Sequence, residues 1–397
     1  MHHRRTWGVL NILILFLSMM LYSRATATYS ADAIYLPLVA TTPCSIESDA
    51  EDRMVASASI ETLPPPTLGI WLDADELAAL PTVGPAWDYL KATADQPTTM
   101  PDLSDQDCDA NVRVLAKALV YARTGQASYR AEVVDALRII THYNTEAGGR
   151  TLALGRELVA YVIAADLIDL GDADAELDAQ FRTKLRALLT KSLDGLTLQS
   201  THEERPNNWG THAGASRVAV AIYLGDSAEL ERAAAVFHGW LGNRAAYSGF
   251  SYGDLSWQAD PANPVGVNSL GAAKDGHNID GALPEEMRRG GAFQWPPVPT
   301  GYPWEALQGA LVQAELLQRA GYPAWEWEDR ALLRAVEFLY DIGWTPTGDD
   351  EWQVWLINRA YGVDYATNTT ALPGKNIGWT SWTHSQARPA VSAQRLK

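Results

Sequence analysis

Residues 202–226 read HEERPNNWGTHAGASRVAVAIYLGD, and this stretch sets the pattern for the fold. Pro206 ends the segment before it, and Asn207 and Asn208 are residue types that cap helices. The apolar run after them predicts a helix that ends at Gly225. Amide and imidazole groups are therefore predicted at a helix N-terminus, where backbone N–H groups and the helix dipole favour an anionic ligand such as a carboxylate.

The same helical periodicity continues through most of the chain after residue 110. It predicts further helices at 110–124, 128–142, 153–170, 175–194, 227–241, 304–320 and 327–342. Several of them end at a glycine followed by a polar restart, as at Gly125 and Gly321, which short-linked antiparallel helices need. Many such hairpins in one domain predict an all-α fold, an α/α toroid (an incomplete α/α barrel). Two stretches without helical periodicity, 243–303 and 343–385, are predicted to be long loops that wall a cleft.

The N-terminus has the features of a secretory signal: basic residues, an apolar run from Trp7 to Tyr22, and small residues up to Ala27. A retained membrane anchor is the alternative, because the run approaches spanning length. The predicted organisation is a signal peptide at 1–27, a linker at 28–64, one domain at 65–385 and a tail at 386–397. We expect a monomer that is secreted or periplasmic and makes no membrane contact after signal cleavage.

Composition excludes several classes of function. The formal net charge is -17, from 31 basic and 48 acidic residues, which argues against nucleic acid as a partner. It does not exclude an anionic substrate, because a cleft can focus the opposite charge locally. Cys44 and Cys108 are too few for a disulfide scaffold or a structural zinc site, and whether they pair stays open. The motifs HExxH, GxSxG, GxxxxGK[ST] and GxGxxG are absent, so we expect no metal and no cofactor.

Three stretches, taken in order, resemble the motifs of the alginate lyase superfamily of polysaccharide lyases. They are NNWGTH at 207–212, LPEEMRRG at 283–290 and the tyrosine just before a predicted helix, Tyr302. Family 5 alginate lyases carry Asn-Asn-His and Leu-Pro-x-Glu-x-x-Arg followed by Tyr, and the family 38 lyases of glucuronan and alginate are more similar still. The similarity extends over roughly residues 65 to 385. It implies that the partner is an anionic, uronate-containing polysaccharide.

The resemblance also implies roles for individual residues. A uronan lyase removes the C5 proton beside a carboxylate and expels the C4 oxygen, so the carboxylate must be neutralised. Asn208, with Asn207, would hold the carboxylate, and His212 would assist neutralisation or act as a base. Arg289 would pair with the carboxylate or favour the ionised form of the tyrosine. Tyr302 would be the acid and the base.

The sequence departs from the family 5 pattern in two places. Trp209 stands where that family has a histidine directly after the asparagine pair. The segment between the motif arginine and Tyr302 is also longer than in the family, and Trp295 lies near the expected tyrosine position. Tyr247 and Tyr252 are therefore alternatives for the proton-transfer role.

Aromatic rings in the predicted loops are candidates for stacking on sugar rings. The candidates are Trp209, Tyr252, Trp257, Trp295 and Trp304. The alternative for any one of these aromatic side chains is a place in the core.

Several functional alternatives stay open at the level of sequence. D-mannuronate and D-glucuronate share the C4 and C5 configuration, so the same groups would serve alginate or glucuronan. Guluronate, the C5 epimer, would need a base on the other face, for which His212 is the candidate.

A rival interpretation is an α/α-barrel glycoside hydrolase. Such an enzyme would use two of the carboxylates of Asp254, Asp260, Asp280, Glu285 and Glu286. A third interpretation is a non-catalytic glycan-binding protein.

Overall fold

The structure, a computed structural model, describes residues 69–386. The predicted signal peptide and linker lie outside these residues, as do Cys44 and the tail beyond residue 386. Within the described range, no helix combines the length and the apolar character that crossing a membrane requires.

The described residues form an all-α fold with one very short β-hairpin, which confirms the predicted fold class. The helices are α1 (Ala74–Ala79), α2 (Pro85–Ala94), α3 (Ala110–Thr124), α4 (Ala127–His142), α5 (Thr151–Leu167), α6 (Leu170–Ala173), α7 (Ala175–Thr190), α8 (Leu198–Glu204), α9 (Asn208–Leu224), α10 (Ser227–Leu241), α11 (Pro284–Met287), α12 (Tyr302–Arg319), α13 (Trp327–Asp341), α14 (Gln353–Tyr361) and α15 (Thr380–Thr383). Two 3₁₀ turns span Arg288–Gly290 and Gly348–Asp350. The hairpin pairs β1 (Ala273–Lys274) with β2 (His277–Asn278) in antiparallel register.

Each predicted helix has a counterpart within a few residues, but the structure adds helices that the sequence did not predict. Helices α1 and α2 precede residue 110, and α14 lies inside the stretch 343–385 that was predicted to be loop. The reason is visible in the burial of α14: Gln353, Leu356 and Ile357, spaced three and one residues apart, are buried on one face. That pattern is short, and neighbouring glycines and tryptophans obscure it.

Helix α9 is the centre of the domain and is buried almost all round. It packs against α5 on one side and α12 on the other, and a glycine stands at each crossing. A Cβ atom on Gly309 would lie 2.4 Å from the carbonyl carbon of Thr211. One on Gly155 would lie 2.8 Å from the nitrogen of Ala213. The three helix backbones can approach this closely only because both positions lack a side chain.

Outer helices pack around this centre as neighbouring pairs. Helix α3 packs against α2, α4 and α5, and α10 packs against α9 and α13. Near the ends of the described chain, Glu76 of α1 forms ion pairs with Arg319 of α12 and Arg359 of α14. This packing is consistent with the predicted α/α toroid.

The helix crossing gives a testable prediction about stability. Gly309→Ala places a methyl group against backbone atoms of α9 that cannot rotate away, so we expect a loss of about 1–3 kcal/mol in the free energy of unfolding. Urea denaturation followed by circular dichroism measures it. Gly171→Ala is the control, because its methyl group would meet only side-chain atoms at 3.8 Å. Equal stabilities for the two variants would contradict the crossing as described.

Candidate active site

The N-terminus of α9 presents the asparagine pair as the sequence predicts. Asn207 is the N-cap, and its Oδ1 accepts a hydrogen bond from the Trp209 N–H at 3.1 Å. Asn208 is the first helical residue and is 4% exposed. Among the described residues, its carboxamide has no hydrogen-bond partner, whereas its backbone N–H donates to Oε1 of Glu286. The Asn208 side chain is therefore uncommitted while its main chain is fixed.

Glu286 brings the second motif to this helix end. It lies in α11 and is 1% exposed, and its Oε2 is buried without a hydrogen-bond partner among the described residues. Burial raises the pKa of Glu286 to about 8, although the Asn208 N–H and the Arg289 charge act in the opposite direction. The side chain is therefore mostly a neutral carboxylic acid at pH 7.

The motif arginine and the predicted catalytic tyrosine are in contact. The guanidinium carbon of Arg289 lies 4.2 Å from the centroid of the Tyr302 ring, although a long loop separates the two residues. Arg289 is exposed in the 3₁₀ turn after α11, and Tyr302 begins α12. Within the part of the chain that the structure describes, the Arg289 guanidinium has neither a carboxylate partner nor a hydrogen bond. It is thus a free cation beside a phenol.

His212 lies one turn into α9 and is fully buried. Its Nε2 is 2.9 Å from Oε1 of Glu305, which also pairs with the Arg156 guanidinium. Burial lowers the pKa of His212, against the opposing effect of the Glu305 hydrogen bond. For Glu305, burial acts to raise the pKa, but the Arg156 charge and the His212 hydrogen bond outweigh it and hold the pKa below its usual range.

These contacts fix the state of the imidazole. A carboxylate only accepts hydrogen bonds, so the neutral His212 ring carries its proton on Nε2 and donates to Glu305. The other nitrogen, Nδ1, is buried and has no hydrogen-bond partner among residues 69–386. In this geometry the one unprotonated nitrogen of His212 is closed to solvent.

The two alternative tyrosines differ in their surroundings. The hydroxyl of Tyr247 donates to the Glu203 carbonyl at 2.8 Å, so that proton is committed to the main chain. The hydroxyl of Tyr252 is buried without a partner in the described chain, and burial raises the pKa of Tyr252. Both features make the phenolate form of Tyr252 costly.

The predicted stacking tryptophans fall into two groups. Trp257 and Trp304 are buried, so their faces are covered by protein and they support the loops. Trp295 is 39% exposed and stacks on the His277 ring with centroids 4.6 Å apart. Trp209 is partly exposed, and the Arg205 guanidinium lies 5.0 Å from its ring centroid. The last two tryptophans are the ones with surface that a sugar can reach.

The other carboxylates considered for a hydrolase accept hydrogen bonds or form ion pairs within the protein. Asp254 and Asp260 are exposed on the long loop, and each accepts hydrogen bonds from nearby loop residues. Asp280 pairs with Arg334. Glu285 is buried, pairs with Arg288 and accepts from a backbone N–H at 3.1 Å. No cluster of three or more His, Cys, Asp or Glu side chains in residues 69–386 could hold a metal ion.

Sequence reasoning missed Arg156 and Glu305, and it treated Glu286 only as a hydrolase carboxylate. A signal for Arg156 existed, because Arg156 and Glu157 interrupt the otherwise apolar helix α5, and charged residues in a buried helix need partners. Glu305 was visible as an acid one turn after Tyr302. Its contact with His212 depends on the crossing of α9 and α12, which the sequence does not reveal.

Comparison with known protein families finds one match. Residues 85–254 match the family model described as alginate lyase. The matched range includes Asn207, Asn208 and His212 and ends before Arg289 and Tyr302. Comparisons with curated proteins and with solved structures found no match.

The buried pair of His212 and Glu305 yields a prediction about protonation. Because burial lowers the pKa of His212, we expect a neutral ring with the proton on Nε2 at pH 7 and at pH 6, near the ordinary histidine pKa of about 6.5. Nitrogen-15 chemical shifts of the two ring nitrogens measure this directly. His277, which is outside the buried pair, is an internal comparison. An imidazolium signal from His212 at pH 7 would contradict the assignment.

Proposed function

Because this chain belongs to the alginate lyase superfamily and is a polysaccharide lyase, we propose that it cleaves a polymer of D-mannuronate or D-glucuronate by β-elimination. The product is a chain with a 4,5-unsaturated uronate at its new non-reducing end. The signal peptide predicted at residues 1–27 supports a reaction outside the cytoplasm.

The observation that carries the proposal is the free Arg289 guanidinium stacked on Tyr302. Most arginines of the described chain are paired with carboxylates or bonded to carbonyl groups, as Arg156 and Arg288 are. Arg289 instead lies over a tyrosine that opens a helix. A cation beside a phenol is what proton abstraction next to a carboxylate needs.

We assign the substrate carboxylate to Asn208 and Arg289. The Glu286 side chain accepts a hydrogen bond from the Asn208 backbone N–H, and Glu286 lies in the helix that directly precedes the turn of Arg289. The Asn208 carboxamide would donate to one carboxylate oxygen, and the guanidinium would neutralise the charge that grows as the C5 proton leaves. The stabilisation is larger for the enolate-like state than for the bound substrate, so it lowers the barrier.

We assign proton transfer to Tyr302. As a phenolate beside the Arg289 guanidinium, the phenolic oxygen takes the proton from C5. The electron pair of the C5–H bond forms the C4=C5 double bond, and the C4–O4 bond breaks. Tyr302 then returns its proton to O4 of the departing chain, so the enzyme ends in its starting state. This transfer requires the C5 proton and O4 to lie on the same face of the sugar, and in mannuronate and glucuronate they do.

The same geometry disfavours guluronate. Its C5 proton points to the opposite face, where His212 would have to be the base. Nδ1 of that ring is buried, and Nε2 is hydrogen-bonded to Glu305. We therefore expect polyguluronate to be a poor substrate.

The direct test of function is the ultraviolet absorbance of the purified enzyme incubated with polymannuronate, glucuronan and polyguluronate. Elimination creates a conjugated uronate that absorbs, whereas hydrolysis creates none. We expect absorbance to rise on polymannuronate or glucuronan. The rate of that rise should be at least about 10²-fold lower for Tyr302→Phe. Tyr247→Phe is the matched control, because its hydroxyl is committed to a carbonyl. New reducing ends without absorbance would refute the proposal.

A second prediction separates Arg289 from its neighbour. Arg289→Lys keeps the charge but loses the planar fork, so we expect kcat/KM on the preferred polymer to fall by about 10²-fold. Arg288→Lys changes an arginine that pairs with Glu285, and it should keep most of the activity. The same absorbance assay measures both variants. Equal losses would mean that the turn, and not the Arg289 guanidinium, is what matters.

A further inference from the structure

Glu286 binds the backbone of Asn208 and lies three residues before Arg289, the two residues that we assign to the substrate carboxylate, so a role for Glu286 in binding rests on that proposed function. Its backbone N–H donates to the Leu283 carbonyl at 3.0 Å, which anchors it in α11. Its Oε1 accepts the Asn208 N–H, one of the N-terminal donors of α9 that have no partner within the helix. Arg289 lies in the 3₁₀ turn that directly follows. One buried side chain therefore fixes the backbone of Asn208 from the segment that carries Arg289.

We propose that Glu286 is a positioning residue that holds the backbone of Asn208 in place while leaving the Arg289 guanidinium available to the substrate. Two observations at the Glu286 carboxyl group support this assignment. Oε1 is occupied by the Asn208 N–H, and Oε2 is buried without a partner in the described residues. Arg289 makes no ion pair with Glu286 in spite of their closeness along the chain.

The charges around Glu286 explain why it stays neutral. Glu285 on the same helix and Glu305 on α12 both favour the protonated form. Arg289 favours the ionised form, as does Arg288, but Arg288 is already paired with Glu285. Burial is the largest effect, and the pKa of Glu286 is raised to about 8. Above that pH the carboxylate would form beside Arg289 and compete with the uronate for it.

The consequence is a pH-dependent affinity. If only the protonated form binds the uronate well, the competent fraction falls about tenfold per pH unit above the pKa, and KM rises by the same factor. We expect this rise for the wild-type enzyme on its preferred polymer between pH 8 and about pH 10.

The test measures KM for wild type, Glu286→Gln and Glu285→Gln across that range with the absorbance assay. Glutamine keeps an acceptor for the Asn208 N–H and cannot ionise, so the KM of Glu286→Gln should not show the rise. Glu285→Gln removes the neighbouring charge. Its KM should still rise with pH, and the rise should at most begin at a lower pH. The same rise in Glu286→Gln as in wild type would overturn the proposal.

A second measurement uses no substrate. With a folded-state pKa of about 8 and an unfolded value near the reference of about 4.3, Glu286 costs stability as the pH rises between these values. The Tm of wild type should therefore fall relative to that of Glu286→Gln from about pH 5 to pH 8 and then level off. A constant difference in Tm would overturn the proposal even if the enzyme is a uronan lyase. Absence of unsaturated product from every polymer would instead refute the proposed function, and the Tm comparison would still decide the state of Glu286.

Discussion

The site depends on the close approach of three helix backbones. Helix α9 is held between α5 and α12 at the level of Thr211 to Ala213, and Gly155 and Gly309 remove the side chains that would separate them. A buried helix whose position is set by backbone contacts cannot slide or rotate without breaking packing on both sides. The crossing therefore fixes Asn208 and His212 relative to the start of α12, and it does so from residues that make no contact with a substrate.

Two glutamates, the buried Glu286 and the half-buried Glu305, then bind the N-terminal part of α9 to its surroundings, and their pKa values are shifted in opposite directions. Burial acts to raise the pKa of both. Glu305 faces the Arg156 guanidinium and the His212 N–H, so it remains a carboxylate and holds the imidazole neutral. For Glu286, burial and the two nearby acids Glu285 and Glu305 raise the pKa to about 8 in spite of the Asn208 N–H and the Arg289 charge. The contrast leaves an ion pair between Arg156 and Glu305 at the crossing and an uncompensated guanidinium, that of Arg289, at the surface. For an acidic protein proposed to act on an acidic polymer, this local positive charge matters more than the net charge of -17.

Much of this architecture can be predicted from the sequence, because the ends of helices depend on the residue types found there. Glycines followed by polar residues, such as Gly125 and Gly225, predicted where helices end, and both adopt the left-handed conformation at helix ends. The asparagine pair and the order of the motifs pointed to the site. Features that depend on tertiary burial could not be read in this way. The free guanidinium of Arg289, the protonation of Glu286 and the difference between buried Trp257 and exposed Trp295 arise only when distant segments pack. The long loop between Arg289 and Tyr302 likewise hid a contact that the fold restores.

The proposed chemistry requires that Asn208 and Arg289 receive the substrate carboxylate while Tyr302 faces C5. A crystal structure of Tyr302→Phe with a mannuronate oligosaccharide would test this arrangement most directly, because the variant binds substrate without consuming it. We expect a uronate carboxylate within about 3 Å of the Asn208 amide nitrogen and the Arg289 guanidinium, with the sugar's C5 hydrogen directed at the ring of residue 302. A uronate whose carboxylate is bound by other groups, or whose C5 faces away from that ring, would contradict it.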